Sequence, residues 1–175
     1  MNKLYVFLML LFTALIAVAF FLPWASVDSQ AVGKISKFIS GKEQVVIQTI
    51  SGFKVPILAN SSDARLMISI IKLFNPGITD ADKKSYLIWG VPGLAVIILL
   101  VSLFLGKNKW VNLAYGLIGI LIFAVAVYKI KTTDLDKIIL NVNIESGLWL
   151  TFWGYLGIGL LGFLRFAQLL SKSKK

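Results

Sequence analysis

Residues 148–170 read LWLTFWGYLGIGLLGFLRFAQLL, a run of 23 residues in which Arg165 is the only charged side chain. At about 1.5 Å per residue, a helix of this length crosses a hydrocarbon layer about 30 Å thick. Three further runs are similarly apolar: residues 4–22, 86–105 and 111–130. The sequence therefore predicts four transmembrane helices.

The composition agrees with a membrane protein. Hydrophobic residues make up 58% of the chain and the mean hydropathy is +0.84, whereas soluble domains have an apolar content nearer about 45–50%. We expect residues 1–175 to form a single membrane domain, an all-α integral membrane protein built as a four-helix bundle. The chain has no cysteine and no histidine, which excludes disulfides, thiolate chemistry and the usual general base at neutral pH.

The distribution of charge predicts the orientation. All eight acidic residues lie in residues 23–85 and 131–147, whereas the short connection 106–110 and the C-terminal tail carry only basic charges. Short loops rich in Lys and Arg stay in the cytoplasm. We therefore expect a multi-pass protein of the cell membrane with both termini cytoplasmic, a long outer loop at 23–85 and a second outer loop at 131–147.

The two outer loops contain patterns of ordered structure. Residues 31–40 show helical spacing of apolar side chains, and residues 44–50 are rich in β-branched residues. A turn at Ser51-Gly52 allows residues 53–58 to return as an edge strand, and residues 140–145 alternate with the period of a strand. Because isolated strands leave open edges, we expect both loops to join in one three-stranded sheet, forming a small α+β extracytoplasmic cap.

A second amphipathic helix is predicted within the long loop. Ser61 or Ser62 offers an N-cap, and Asn75-Pro76-Gly77 ends the helix. Its apolar face needs cover, either from the membrane surface or from the small hairpin. We expect this face to be an interaction surface, formed by Leu66, Met67, Ile70, Ile71 and Phe74.

Tryptophans mark the predicted ends of the spans. Amphipathic rings favour the level of the lipid headgroups. We therefore predict five membrane-interface anchors: Trp24, Trp89, Trp110, Trp149 and Trp153.

Polar chemistry is sparse within the spans, and glycine is frequent. Only Thr13, Ser102, Asn112, Thr151 and a few tyrosines interrupt the apolar surface, and Arg165 is near enough to the inner end to extend toward water. The lack of intramembrane carboxylates argues against a pump or carrier acting as a monomer. Glycines at 90, 93, 116, 119, 154, 157, 159 and 162 predict close helix packing.

A five-residue echo, T-D-x-D-K, occurs at residues 79–83 and 133–137. Its four carboxylates suggest a hard-cation site if the motifs lie together. The stronger interpretation is helix capping with charge compensated by the adjacent lysines. We therefore expect no metal and no cofactor, and keep as cation candidates only Asp80, Asp82, Asp134 and Asp136.

Two short motifs resemble those of uncharacterised small bacterial four-helix membrane proteins: Pro23-Trp24 after the first span and Gly147-Leu148-Trp149 opening the fourth. The four-span topology is also similar to that of the claudins. The claudin signature in the first outer loop, with its two cysteines, is missing, so the similarity extends to topology alone and implies no junction or pore function. The bacterial resemblance implies no known activity.

Three function classes follow from these patterns. We expect a non-catalytic membrane scaffold or accessory subunit whose outer cap and helix faces bind another membrane protein, a second copy or lipid, and not nucleic acid. The alternative is a small oligomeric pore or carrier with Pro92 and nearby glycines along its path. A membrane enzyme ranks third, because neither His nor Cys is available to support the outer aspartates.

Overall fold

Four long helices dominate the fold. A computed structural model describes residues 3–27, 48–60, 86–132 and 142–172 of the chain. Within these ranges the helices are α1 (Lys3–Phe21), a short α2 (Lys54–Ala59), α3 (Gly90–Leu105), α4 (Lys109–Thr132) and α5 (Ser146–Lys172). A 3-10 turn, Tyr86–Trp89, leads into α3.

The structure confirms the four predicted apolar helices. Lys3–Phe21, Tyr86–Leu105, Lys109–Tyr128 and Ser146–Lys172 are all long and apolar enough to cross a membrane. The long helices begin and end within two residues of the predicted limits, except that α3 begins four residues late because residues 86–89 form the 3-10 turn. Pro92 lies in the first turn of α3, where its missing N–H would have no intrahelical partner in any case. Proline therefore marks the start of this helix.

Helix α5 lies at the centre of the bundle, packed against α4 on one side and α1 on the other, with α3 against α1. Glycines allow the close approach of α4 and α5. A Cβ atom on Gly119 would lie 2.6 Å from the Tyr155 carbonyl oxygen, and one on Gly162 would lie 2.7 Å from Gly116 Cα. The packing role predicted for these glycines is confirmed.

The two glycines of α3 make no such close contact within the described residues. A Cβ atom on Gly90 or Gly93 would meet no atom of the described structure within 4 Å. Both residues are exposed.

The core between the helices is formed mainly by large side chains. Tyr155 and Ile158 come from α5, Met9 and Ile16 from α1, and Ile98 from α3, and each is at most 4% exposed. Protein interiors are close-packed and leave little space between such buried side chains. The four long helices therefore share one continuous core.

A three-stranded antiparallel sheet joins the two acid-bearing connections. Its order is β2 (Gln48–Ser51), β1 (Pro23–Val27), β3 (Val142–Ile144). Central Ala25 is the register partner of Ile50 on one side and of Ile144 on the other. The register shifts between Pro23 and Ala25, which places a bulge at Trp24. The predicted sharing of one sheet by both connections is confirmed.

One predicted strand is wrong. Residues 53–58 do not return as an edge strand, since α2 occupies Lys54–Ala59 and β1 supplies the pairing for β2. Pro56 is in the first turn of α2, where it removes no helical hydrogen bond. The Asn60 backbone N–H and side-chain amide both donate to the Pro56 carbonyl, at 3.2 and 2.7 Å, and close the helix.

Candidate functional site

A cluster of buried polar side chains joins α1, α3 and α4 at the end of the bundle where α1 begins. We call it the polar cluster, formed by Tyr5, Ser102, Asn112 and Tyr115. The Tyr5 hydroxyl lies 3.0 Å from Ser102 Oγ and donates to Asn112 Oδ1 at 3.3 Å. It also bonds the Tyr115 hydroxyl, which itself donates to Asn112 Oδ1. Four hydrogen-bonding side chains therefore meet at one point.

Asn112 ties this cluster to the turn between α3 and α4. Its Nδ2 donates to the Gly106 carbonyl at 3.1 Å and to the Asn108 carbonyl at 2.6 Å. The side chain is 0% exposed, so both ends of its amide depend on protein partners. In an apolar medium an unpaired amide is costly, and here each end is paired.

Arg165 of α5 extends the cluster to the fourth long helix. Its guanidinium carbon lies 5.6 Å from the centre of the Tyr5 ring, a cation–π distance. Nη1 donates to Gln168 Oε1 at 3.3 Å. Nε is buried and has no acceptor among the described residues. The side chain thus packs on Tyr5 rather than simply extending away from the bundle.

The carboxylate within the described residues lies elsewhere. Glu145 follows β3, and its Oε1 accepts a hydrogen bond from Ser26 Oγ at 2.6 Å. Its backbone N–H donates to the Trp24 carbonyl at 2.9 Å. In the part of the chain that is described, the positive charge of Arg165 therefore has no acidic partner.

An aromatic junction lies where α1 meets the sheet. It comprises Phe20, Phe21, Trp24, Phe53 and Trp89. Trp89 packs 6.0 Å from Phe20 and 5.1 Å from Phe53, measured between ring centres. Trp24 Nε1 donates to the Ala19 carbonyl at 2.8 Å, and the Phe53 N–H donates to the Phe20 carbonyl at 3.1 Å. These bonds satisfy carbonyls that the last turn of α1 leaves without intrahelical partners.

The predicted tryptophan anchors lie in three places in the structure. Trp24 and Trp89 belong to the aromatic junction, while Trp110 lies at the other end of the bundle, 6.2 Å from the Phe166 ring. Trp149 and Trp153 lie in the first half of α5, and Trp153 packs 5.4 Å from Phe123. Their anchoring role in a membrane stays a prediction.

Two predicted sites lie outside the described residues. These are the apolar face at Leu66, Met67, Ile70, Ile71 and Phe74, and the aspartates Asp80, Asp82, Asp134 and Asp136. The predicted helix at 31–40 and residues 44–47 of the predicted strand also lie there. Sequence reasoning noted Ser102 and Asn112 only as isolated polar residues and missed their convergence with Tyr5 and Tyr115.

The polar cluster holds hydroxyl and amide groups that bond one another. Within the ranges that the structure covers, no three His, Cys, Asp or Glu side chains come together. No known protein family, curated protein or solved structure matches this chain. Any functional conclusion therefore rests on the geometry of the described residues. The hydrogen bonds of the polar cluster indicate that it holds the helices together.

Proposed function

We propose that the protein is a non-catalytic integral membrane scaffold or accessory subunit that binds another membrane protein, or a second copy, through α3. The observation that carries this proposal is the sparse coverage of α3. Within the described residues, only 17% of its apolar window is buried, compared with 22% for α4, 33% for α1 and 50% for α5. The helix at the centre of the bundle is thus well covered, while α3 presents most of its surface outward.

One side of α3 has the pattern of a helix-packing surface. We call it the α3 face, formed by Gly93, Ile97, Leu100 and Phe104. These residues recur at intervals of four, three and four and so share one side of the helix. Ile97 is 57% and Phe104 81% exposed. In lipid, an open glycine beside large apolar side chains favours the close approach of another helix.

Cross-linking in native membranes tests the α3 face. A photoreactive amino acid at Ile97 or Leu100 is expected to yield a discrete protein adduct, whereas one at Leu160 or Leu164 of α5 is not. Leu160 and Leu164 are matched controls, since they are 52% and 61% exposed on another helix. Adducts with lipid alone at all four positions would rule out a protein partner at α3. A ring of copies that conducts solute in liposomes would favour the pore alternative instead.

We also propose that both termini are cytoplasmic and that residues 23–85 and 131–147 are extracytoplasmic. The basic connection 106–110 supports this orientation. Because the chain has no cysteine, single Ser61→Cys and Ser173→Cys variants report each side without background. A membrane-impermeant maleimide on intact cells should modify the Ser61→Cys protein and leave Ser173→Cys unmodified until the cells are opened. The reverse labelling pattern would invert the topology.

A further inference from the structure

Arg165 carries a positive charge that the described protein does not neutralise. The guanidinium has five N–H donors, yet the described residues supply one acceptor, the neutral Gln168 Oε1 at 3.3 Å. Nε is buried and has no partner in the described ranges. The Tyr5 ring offers a cation–π contact at 5.6 Å, which holds the group in place and adds no hydrogen-bond acceptor.

The position of Arg165 along the bundle coincides with the ends of the other long helices. Its partner Tyr5 lies two residues after the start of α1, and Asn112 of the same cluster lies three residues after the start of α4. Helix α5 continues for seven more residues, to Lys172, or about 10 Å. In a chain that spans a bilayer, this level is the edge of the hydrocarbon layer, from which a long arginine side chain reaches the lipid phosphates.

The surroundings of Arg165 at this end of the bundle are basic and aromatic. Lys3 begins α1, while Lys107 and Lys109 lie in and after the turn that Asn112 closes. Within the described ranges no carboxylate lies at this end, because Glu145 is bonded to Ser26 of the sheet. Trp110 and Phe166 pack against each other here. A positive field with interfacial aromatic rings attracts anionic headgroups.

We propose that Arg165 is a binding site for the phosphate group of an anionic phospholipid. The planar guanidinium matches phosphate oxygens in a way that a lysine ammonium does not. Tyr5 positions the guanidinium from α1. The phosphate of a bound lipid would accept hydrogen bonds from the exposed Nη end of the guanidinium and would link α5 to α1. This site is separate from the α3 face and does not depend on the proposed partner-binding function.

Lipid-dependent thermal stability tests this site. Delipidated full-length protein in neutral detergent is titrated with dioleoylphosphatidylglycerol, dioleoylphosphatidylcholine or inorganic phosphate, and unfolding is followed by tryptophan fluorescence. The affinity follows from the concentration dependence of the unfolding midpoint. High salt is used throughout, because it screens diffuse attraction between the lysines and the lipid.

Arg165→Gln is compared with Lys172→Gln, which removes the same charge from the exposed end of the same helix. We expect dioleoylphosphatidylglycerol to bind the wild type better than the other two probes. Arg165→Gln should weaken that binding about tenfold, as loss of a charged hydrogen bond does, and Lys172→Gln by less than about twofold. If Arg165→Gln fails to fold, Arg165→Lys is used instead. This variant keeps the charge but lacks the planar guanidinium that pairs with two phosphate oxygens, so it should also bind this lipid more weakly than the wild type.

Three results would overturn the proposal. The first is equal affinity of the wild type and the Arg165 variant for dioleoylphosphatidylglycerol. The second is an equal loss in Lys172→Gln, which would show diffuse attraction only. The third is stabilisation by inorganic phosphate as strong as that by the lipid, which would assign the site to free phosphate.

Discussion

Asn112 shows how single polar side chains hold the helices of this protein together. Its amide accepts from two tyrosine hydroxyls and donates to two backbone carbonyls of the α3–α4 turn. Lipid offers no replacement partner for such groups. Among the buried side-chain atoms of the described residues, only Thr13 Oγ1 and Arg165 Nε have no partner. Almost all buried polar side-chain atoms of the described residues are therefore hydrogen-bonded, and Asn112 contributes most to this bonding.

Replacing Asn112 should be the most damaging change within the polar cluster. Asn112→Ala leaves two carbonyls and two hydroxyls with fewer partners, and we expect it to lower the free energy of unfolding by about 2–3 kcal/mol. Ser102→Ala is the matched control, because it removes one bond to Tyr5 and should cost about 0.6–1.7 kcal/mol. Denaturant titration in micelles measures both. An Asn112 variant no less stable than the Ser102 variant would contradict this role.

Trp24 closes the end of α1 by a hydrogen bond that phenylalanine cannot make. Trp24→Phe keeps a ring beside Phe20 and loses the bond from Nε1 to the Ala19 carbonyl. We expect a loss of about 1 kcal/mol in the free energy of unfolding. Trp89→Phe is the control, since Trp89 contributes ring contacts to Phe20 and Phe53. Equal losses in thermal unfolding of the two variants would show that the hydrogen bond adds nothing.

At the scale of elements, glycine has one role in α4 and α5 and another in α3. Gly119 of α4 and Gly159 and Gly162 of α5 lie so close to the facing helix that an added Cβ atom would overlap its backbone atoms. The glycines of α3 have no neighbour within 4 Å of an added Cβ atom among the residues that the structure describes. Close approach increases van der Waals contact between α4 and α5, which is a main source of helix association in lipid. Glycine content alone therefore does not identify an interface.

This difference predicts opposite signs for one substitution. A Cβ atom at Gly119 would lie 2.6–2.8 Å from backbone atoms of Tyr155 and Gly159, so Gly119→Ala should lower the free energy of unfolding by about 1–3 kcal/mol. Gly93→Ala meets nothing within 4 Å and should be neutral or stabilising by up to about 1 kcal/mol, because alanine favours the helix. Unfolding of both variants in monomeric detergent complexes is the measurement. A destabilised Gly93 variant together with an unchanged Gly119 variant would refute the packing.

At the scale of the whole molecule, the sheet holds together two segments that lie far apart in sequence. Strand β1 pairs with β2 from the same long connection and with β3 from the second connection. Close approach of α5 to β1 reinforces this link, since a Cβ atom on Gly147 would lie 2.6 Å from the Pro23 carbonyl oxygen. The sheet thus joins the beginning of α5 to the end of α1.

Engineered disulfides test the link between the two connections. Ala25 and Ile144 are register partners, and paired antiparallel positions lie about 4.5–5.5 Å apart at Cα, within disulfide range. Ala25→Cys with Ile144→Cys should therefore oxidise to an intramolecular bond, seen as a mobility shift on non-reducing gels. Ile50→Cys with Ile144→Cys is the control, because two strand spacings of about 4.8 Å separate these positions. Cross-linking of the control pair but not of the Ala25 pair would refute this strand order.

The sequence by itself determined the four long helices and the uneven distribution of charge. Length and hydrophobicity of a run are local properties, and in lipid they leave the backbone only a helix. Sequence patterns also indicated that the two connections share a sheet, and parts of two of its strands. They did not indicate β1 at Pro23–Val27 or α2 at Lys54–Ala59, because segments this short take their conformation from their neighbours.

Only the tertiary structure decided which polar residues meet. Tyr5 lies 97, 107 and 110 positions from Ser102, Asn112 and Tyr115, so no local pattern connects them. Their contact depends on which sides of three helices turn inward, and packing against α5 sets those sides. The same packing brings Arg165 onto Tyr5 and leaves the α3 face uncovered by the described residues. Hydrophobicity thus determines which segments form the long helices, whereas the fit between helix surfaces determines which helices pack against each other.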